Sequence, residues 1–348
     1  LCKLEDSQGR ALSEDIMAPH GIPLFNNSAV DGYAVISSDL NKASPSNPIE
    51  LMNLGYISPG GYIGKQMRSG KCIQIATGAP IPKGADTIVK KEDVLLKKDY
   101  VRFSCNAKKK ENVRFKGEDI LKGSKVISMG TLVGPAQIAV LATFGFAEVP
   151  VRKIPKVSII STGNELVDIE DTPKEGQIRE SNRYMLASMV KQECCDISKF
   201  SLVPDIPKLL KKEFDEGLKA DVALISGGMS VGERDYAKVI LKELGVEEIF
   251  WKINFKPGKP LFFGRRGKTL IFGIPGNPAS SYVIFEEFIR PALRKMMGRN
   301  VIEEDMVDAK LEKDITKTHK RLHFMRGILN KKNGKFIVTP LNFQGSHS

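Results

Sequence analysis

Three short stretches of this chain combine glycine with hydroxyl, amide or carboxylate side chains. They are Ser161-Thr162-Gly163-Asn164-Glu165, the run from Ser226 to Asp235 with Gly227, Gly228, Ser230 and Gly232, and Ile274-Pro275-Gly276-Asn277-Pro278. Glycine lets backbone N–H groups approach a ligand closely, and the N-terminus of a following helix favours an anion. Hydroxyls and amides can hold oxygens, while Glu165 and Asp235 each add a carboxylate. Taken alone, each stretch is equally a turn or a helix cap: Asp235 sits where an N-cap belongs, and Asn277 can cap the helix that Pro278 starts. A fourth stretch, Trp251 to Pro260, brings lysines. If it is extended, period-two alternation puts Lys252, Asn254 and Lys256 on one face, with Lys259 presented after a turn. Three ammonium groups beside three glycine or proline loops make an anion site with two or more phosphate-sized positions. Lysines in an exposed hinge are the alternative.

Such loops need a scaffold that gathers them. Each follows a short apolar run, and helical spacing resumes after each: Lys156 to Ile160 then Asn182 to Gln192, Val222 to Ile225 then Tyr236 to Leu244, Thr269 to Ile274 then Pro278 to Ile289. This alternation predicts a doubly wound α/β unit of parallel strands, in which ligands bind beyond the carboxyl ends of the strands. Residues 1–20 predict a short helix with Leu4, Leu12 and Ile16 as apolar contacts. From 21 to 116, β-type runs such as Ile49 to Leu54, Lys71 to Ile75, Thr87 to Val89 and Tyr100 to Phe103 are separated by Gly- and Pro-rich turns. Residues 117–150 hold a β-turn-β pattern and a helix from Pro135 to Phe144. After Pro291 the chain turns to β character, clearest at Arg326 to Leu329 and Lys335 to Val338. The expected division is a linker domain (1–20 and 117–150), an inserted β domain (21–116), an α/β domain (151–297) and a C-terminal β domain (298–348).

Composition narrows the class. The 348 residues, 41% hydrophobic and 27% charged, fit a globular multidomain protein, and no uninterrupted apolar run approaches the ~18 residues of a membrane span. Neither a charged-then-apolar leader nor an initiator Met opens the chain, so the cytoplasm is the default and a short native N-terminus is expected to be absent. Five cysteines without a C-x-x-C pair argue against a disulfide framework and against zinc, and His319 and His323 lie in a basic segment that favours solvation. The net charge of +12 suits a polyanionic partner. However, Lys90-Lys91, Lys97-Lys98 and Lys108 to Lys110 lie outside the glycine loops and lack interleaved aromatics, so a solvated basic face and small anions rank ahead of nucleic acid.

Read together and in order, FNNSAVDGYAV, ATGAPIPKGAD, RFKGEDILKG, ISTGNEL, ISGGMSVGERDY, FKPGKP and IPGNPAS closely resemble the molybdopterin molybdenumtransferase family, MoeA, which is related to the E domain of gephyrin. The resemblance spans nearly the whole chain. It implies a homodimer with its active site at the subunit interface, and insertion of molybdenum from molybdate into adenylated molybdopterin with release of AMP and help from Mg2+. Contact with a MogA-type adenylyltransferase is also implied. Glu165 and Asp235 become the expected metal ligands; Asp31, Asp119, Glu165, Asp235, Lys252 and Lys256 the expected catalytic set. Thr77, Ser161, Thr162, Gly163, Asp205, Gly227, Gly228, Ser230, Lys259, Pro275, Gly276, Asn277, Pro278 and Arg326 are expected to bind substrate. Two departures leave Asp31 in register: Asn26 stands where the family usually has Asp, and Val30 where it usually has Met. The chain also stops inside a motif that normally continues into a last strand. Molybdopterin adenylylation and a non-catalytic scaffold are the competing functions; the DGYA and GED segments argue against the first, and intact carboxylates and lysines against the second.

Overall fold

Val157, Ile159 and Ile160 are all fully buried although they share one strand, so apolar layers must cover both faces of its sheet. In the computed structural model, which describes residues 1–348 except 62, 63, 65, 230–235, 303–305, 316–319, 342, 343 and 345–348, they do. The strands are β1 (Lys156–Thr162), β2 (Asp196–Val203), β3 (Val222–Ser226), β4 (Glu247–Trp251), β5 (Phe262–Arg266) and β6 (Thr269–Ile274). Helices α1 (Asn182–Gln192), α2 (Pro207–Gly217), α3 (Tyr236–Glu243) and α4 (Pro278–Ile284) connect or follow them. The sheet order is β2-β1-β3-β6-β5-β4. One face gathers Val157, Ile159, Val222, Leu224, Phe272 and Ile274 against Leu186, Met189 and Val190 of α1 and Ile284 of α4. The other gathers Ile160, Ala223, Ile225 and Ile271 against Leu210 and Phe214 of α2 and Ile240 and Leu241 of α3. Adjacent residues thus feed opposite layers, the period-two consequence of a pleated strand.

The α/β architecture is as expected, with corrections in detail. Strands β2, β1, β3 and β6 pair in parallel, but β5 pairs antiparallel with both β6 and β4, so the sheet is mixed. The β2-α2 unit between 196 and 217 is an element the sequence pattern left unassigned. In β2 the polar residues Asp196, Ser198 and Lys199 interrupt any apolar run, as befits an edge strand. The helix expected over residues 1–20 does not form. Only Leu4–Asp6 makes a 3-10 turn; Cys2–Lys3 pairs with Glu148–Val149, and Ala11 and Leu12 bridge to Leu132 and Val151. Gly9, at φ 77, breaks the helical path, and the apolar residues are buried by pairing instead.

Two compact units divide the chain: residues 1–14 with 129–348, and residues 15–128. Positions 21 and 116, where the β domain was expected to start and stop, both fall inside the second unit. That unit is built on a six-stranded sheet in the order Thr87–Lys90, Gly32–Val35, Lys71–Ile75, Ile49–Ile57, Tyr100–Phe103, Val94–Lys97. Its two faces bury Leu51, Val101 and Phe103, and Ile57, Ile73 and Ile88, respectively. The first unit also holds the helix Pro135–Thr143 and a C-terminal three-stranded sheet of Lys310–Leu311, Lys335–Pro340 and Gly327–Lys332.

Candidate active site

Register brings the three loops together. Ser161 of β1 stands beside Ser226 of β3, which stands beside Ile274 of β6, so the carboxyl ends of three neighbouring parallel strands finish side by side. Beyond them lies a cavity of about 440 Å³ whose walls include Thr162, Gly163, Glu165, Asp205, Gly227, Gly228, Gly276 and Pro278. Eight residues expected at the site therefore line one space. Gly227 is required by geometry: its φ is +94°, and a Cβ there would lie 2.2 Å from the Thr162 carbonyl oxygen. Its N–H donates to the Ile274 carbonyl (3.1 Å), which ties the second loop to the third. A Cβ on Gly276 would meet nothing within 4 Å, so this wall opens on the cavity.

Buried polar chemistry lines the floor. Asn182, at the start of α1, donates through Nδ2 to Ser226 Oγ (2.9 Å) and to the Gly276 carbonyl (2.7 Å), which joins α1 to the second and third loops. Its Oδ1, and the hydroxyl oxygen of Thr162, are buried without a hydrogen-bond partner among the described residues. A buried acceptor left open costs about 1–3 kcal/mol, which a bound ligand with a matching donor would recover. Ser161 lies behind this wall and donates to Glu180 Oε1 (3.0 Å). Glu180, 1% exposed, also accepts from Arg183 N (2.8 Å) and Nε (3.3 Å). Arg183 reaches on to Asp168 (2.6 Å), which Tyr184 also contacts (2.8 Å); the Arg183 guanidinium first, then the Tyr184 hydroxyl, holds the Asp168 carboxyl down at about 2. Glu180, Asn182, Arg183 and Asp168 were absent from the expected set. The run Ile178-Arg179-Glu180-Ser181-Asn182-Arg183 carried the only signal, a dense polar cluster ahead of an apolar helix.

Other expected residues lie elsewhere. Asn277 caps α4, accepting from Ser280 N (3.1 Å), and the Pro275 carbonyl accepts from Ser281 Oγ (2.7 Å), so both shape the third loop rather than line the cavity. Ser230 and Asp235 lie outside the described residues. The single lysine face does not form: β4 ends at Trp251, and Lys252 adopts a left-handed backbone at φ 70, which breaks the two-residue period. Holding a non-glycine residue there costs on the order of 1–3 kcal/mol, a strain that clusters at functional positions. Lys252 Nζ sits 3.9 Å from the centroid of the Trp251 ring. Lys256 belongs to the strand Phe255–Lys256, which pairs with Leu322–His323, and the Lys259 carbonyl accepts from Ile253 N (2.9 Å). In the C-terminal sheet region, Arg326 N donates to Gln344 Oε1 (3.0 Å) and its carbonyl accepts from Gln344 Nε2 (2.7 Å).

The unit of residues 15–128 carries a separate constellation. Asp31 Oδ1 accepts from both the backbone N and the hydroxyl of Thr77, each at 2.8 Å, while Lys91 Nζ stands 3.6 Å from Oδ2. The Thr77 backbone bond, then its hydroxyl, with Lys91 assisting, lowers the Asp31 pKa. Asp31 and Lys91 border a pocket of about 380 Å³ with Tyr56 and Gln74. Asp119 is exposed, and its N–H donates to the Ile22 carbonyl (3.0 Å).

The donor set at the cavity suits a lightly ligated hard cation. Glu165 and Asp205 both line it, and neither carboxylate has a cation or donor partner among the described residues. Magnesium keeps several waters and takes one or two carboxylates. Among the described residues no cluster of three or more His, Cys, Asp or Glu forms a fully protein-ligated metal site.

Residues 2–145 match the model of the MoeA N-terminal region (domain I and II), 158–295 that of the "Probable molybdopterin binding domain", and 308–348 that of the MoeA C-terminal region (domain IV). The molybdopterin molybdenumtransferase of Haemophilus influenzae is 35% identical over 348 residues, 99% of this chain and 85% of the relative. Its counterpart in Bacillus subtilis is 33% identical, covering 99% and 81%. The crystal structure of the molybdopterin biosynthesis moeA protein from Pyrococcus horikoshii OT3 superposes with a TM-score of 0.83 at 32% identity, over 99% of this chain and 85% of that one. This chain belongs to the molybdopterin molybdenumtransferase family and is an enzyme of molybdenum cofactor biosynthesis.

Proposed function

We propose that the enzyme inserts molybdenum from molybdate into adenylated molybdopterin and releases AMP, with the strand-end cavity as the binding place of the pterin substrate. The observation that carries this reading is the cavity's open polar chemistry: two carboxylates, Glu165 and Asp205, with the buried Thr162 Oγ1 and Asn182 Oδ1, none of which has a partner among the described residues. An aminopyrimidine edge offers N–H donors of the kind that Asn182 Oδ1 lacks. Backbone N–H groups of the glycine loops approach phosphate oxygens, and Lys252, Lys256 and Lys259 supply cationic partners for the phosphoanhydride and the molybdate oxyanion. Glu165, with Asp235, would hold Mg2+. When bound, that ion neutralises charge on the phosphoanhydride. Asp31, Thr77, Asp119 and Arg326 complete the substrate-handling set. The enzyme works in the cytoplasm as a homodimer with its active site at the subunit interface, receiving its substrate from a MogA-type adenylyltransferase.

The test is AMP release. Purified protein given adenylated molybdopterin and magnesium releases AMP when molybdate is added. Release that ignores molybdate, or consumption of ATP with free molybdopterin, contradicts the proposal and favours adenylylation.

A further inference from the structure

Trp251 touches both flanks of the second glycine loop. Its indole Nε1–H donates to the carbonyl of Met229 (3.4 Å), the residue directly after Gly227-Gly228 of the cavity wall. Its ring also carries two ammonium groups: Lys238 Nζ, from the first turn of α3, lies 3.6 Å from the centroid and Lys252 Nζ 3.9 Å. Two cations on one ring repel each other, and a carboxylate partner on either relieves the repulsion. Lys238 has one, Glu248 at 3.0 Å. Lys252 has none among the described residues; the ring is the contact that holds its charge. Its backbone is pinned as well, in the left-handed region and with its N–H bonded to the Leu261 carbonyl (2.9 Å). A cation held by a π face keeps its capacity to pair with an anion, whereas one paired to a carboxylate has spent it.

We propose that Trp251 is a positioning residue for the transfer reaction: its ring holds the Lys252 ammonium, which has no carboxylate partner among the described residues, and its N–H fixes the glycine loop through Met229. The anion that Lys252 meets is an oxygen of the phosphoanhydride or of the molybdate. The role rests on the reaction proposed above and on Lys252 serving it.

A double-mutant cycle tests it on the full chain, with molybdate-dependent AMP release as the readout. If Trp251 acts through Lys252, Trp251→Leu lowers kcat/KM about tenfold in the wild-type background and by clearly less in a Lys252→Ala background, where only the bond to Met229 remains to be lost. Trp251→Phe, which keeps a π face, loses less than Trp251→Leu and covers the case in which the leucine variant folds poorly. Trp251 is the only tryptophan of the chain, so its emission reports the contact without any turnover. Lys252→Ala shifts that emission in a protein whose thermal unfolding is unchanged. An equal loss from Trp251→Leu in both backgrounds overturns the proposal, as does unaltered emission in Lys252→Ala. Wild-type turnover in Lys252→Ala defeats it through the lysine. Absence of molybdate dependence in the wild type defeats the reaction itself, while the emission shift still reports the contact.

Discussion

Two polar clusters of the α/β unit use carboxylates in opposite ways. Glu193, 3% exposed, is surrounded by Arg290, Arg294 and Arg299: Arg290 Nε at 3.1 Å and Arg294 Nη2 at 3.0 Å meet Oε1, while Arg294 Nε at 2.9 Å and Arg299 Nη1 at 2.8 Å meet Oε2. Even its carbonyl accepts from Arg299 Nη2 (2.7 Å). Glu165, at the cavity, is exposed and has no described partner. The first cluster has more charge and more burial, yet both oxygens of its carboxylate are already taken by guanidinium groups. A carboxylate without a described partner, rather than charge density, sets the proposed site apart from the place where the helix of Arg290–Met296 is fastened to the end of α1.

Substitutions can break this contrast. The largest effect on stability is expected from Glu193→Ala, which removes the carboxylate shared by three guanidinium groups with side chains 9–14% exposed, although Arg290 keeps Glu286 at 2.9 Å. It should cost about 3–5 kcal/mol in chemical denaturation while the activity of the folded fraction persists. Glu165→Ala should do the reverse. Its unfolding midpoint stays within about 0.5 kcal/mol of wild type, and its turnover falls about 10²–10³-fold if the carboxylate works as a preorganised electrostatic group. Equal loss of stability in both variants would erase the distinction. Gly227→Ala sharpens it, since the added Cβ meets the Thr162 carbonyl in a backbone already at φ +94°. The cost should be about 1–3 kcal/mol by denaturation, with weakened substrate binding. The smallest effect concerns Asp168. Its folded pKa of about 2 lies below the ordinary 3.8, so its stabilising contribution is present above pH 3.8 and fades as pH falls toward 2. Acid-unfolding curves of wild type and Asp168→Asn should differ above that window and converge below it.

The sequence made the loops legible because glycine, proline and hydroxyl residues announce where strands end, and Thr162, Gly163, Gly227, Gly228, Gly276 and Pro278 meet at one cavity. It made the two-sided sheet legible because runs such as Val222–Ser226 are buried throughout. What it hid depends on contacts far apart in the chain. Asn182 looks like any helix-start amide until the fold sets it against Ser226 and Gly276. Strand β2 hid because an edge strand alternates polar residues with its few apolar ones. The lysine face was misjudged because period-two alternation presumes extended backbone, and Lys252 leaves it. Residues 1–20 were misjudged because spaced leucines satisfy a helix and a set of β-bridges equally well.

The central claim is that the cavity beyond β1, β3 and β6 receives the pterin substrate. A structure of the protein with adenylated molybdopterin tests this most directly. It should place the pterin between Thr162, Asn182 and Gly276, with a donor on Asn182 Oδ1 and the phosphates on the Gly227-Gly228 side. A pterin bound in the pocket beside Asp31 and Lys91, with the strand-end cavity left to solvent, would contradict it.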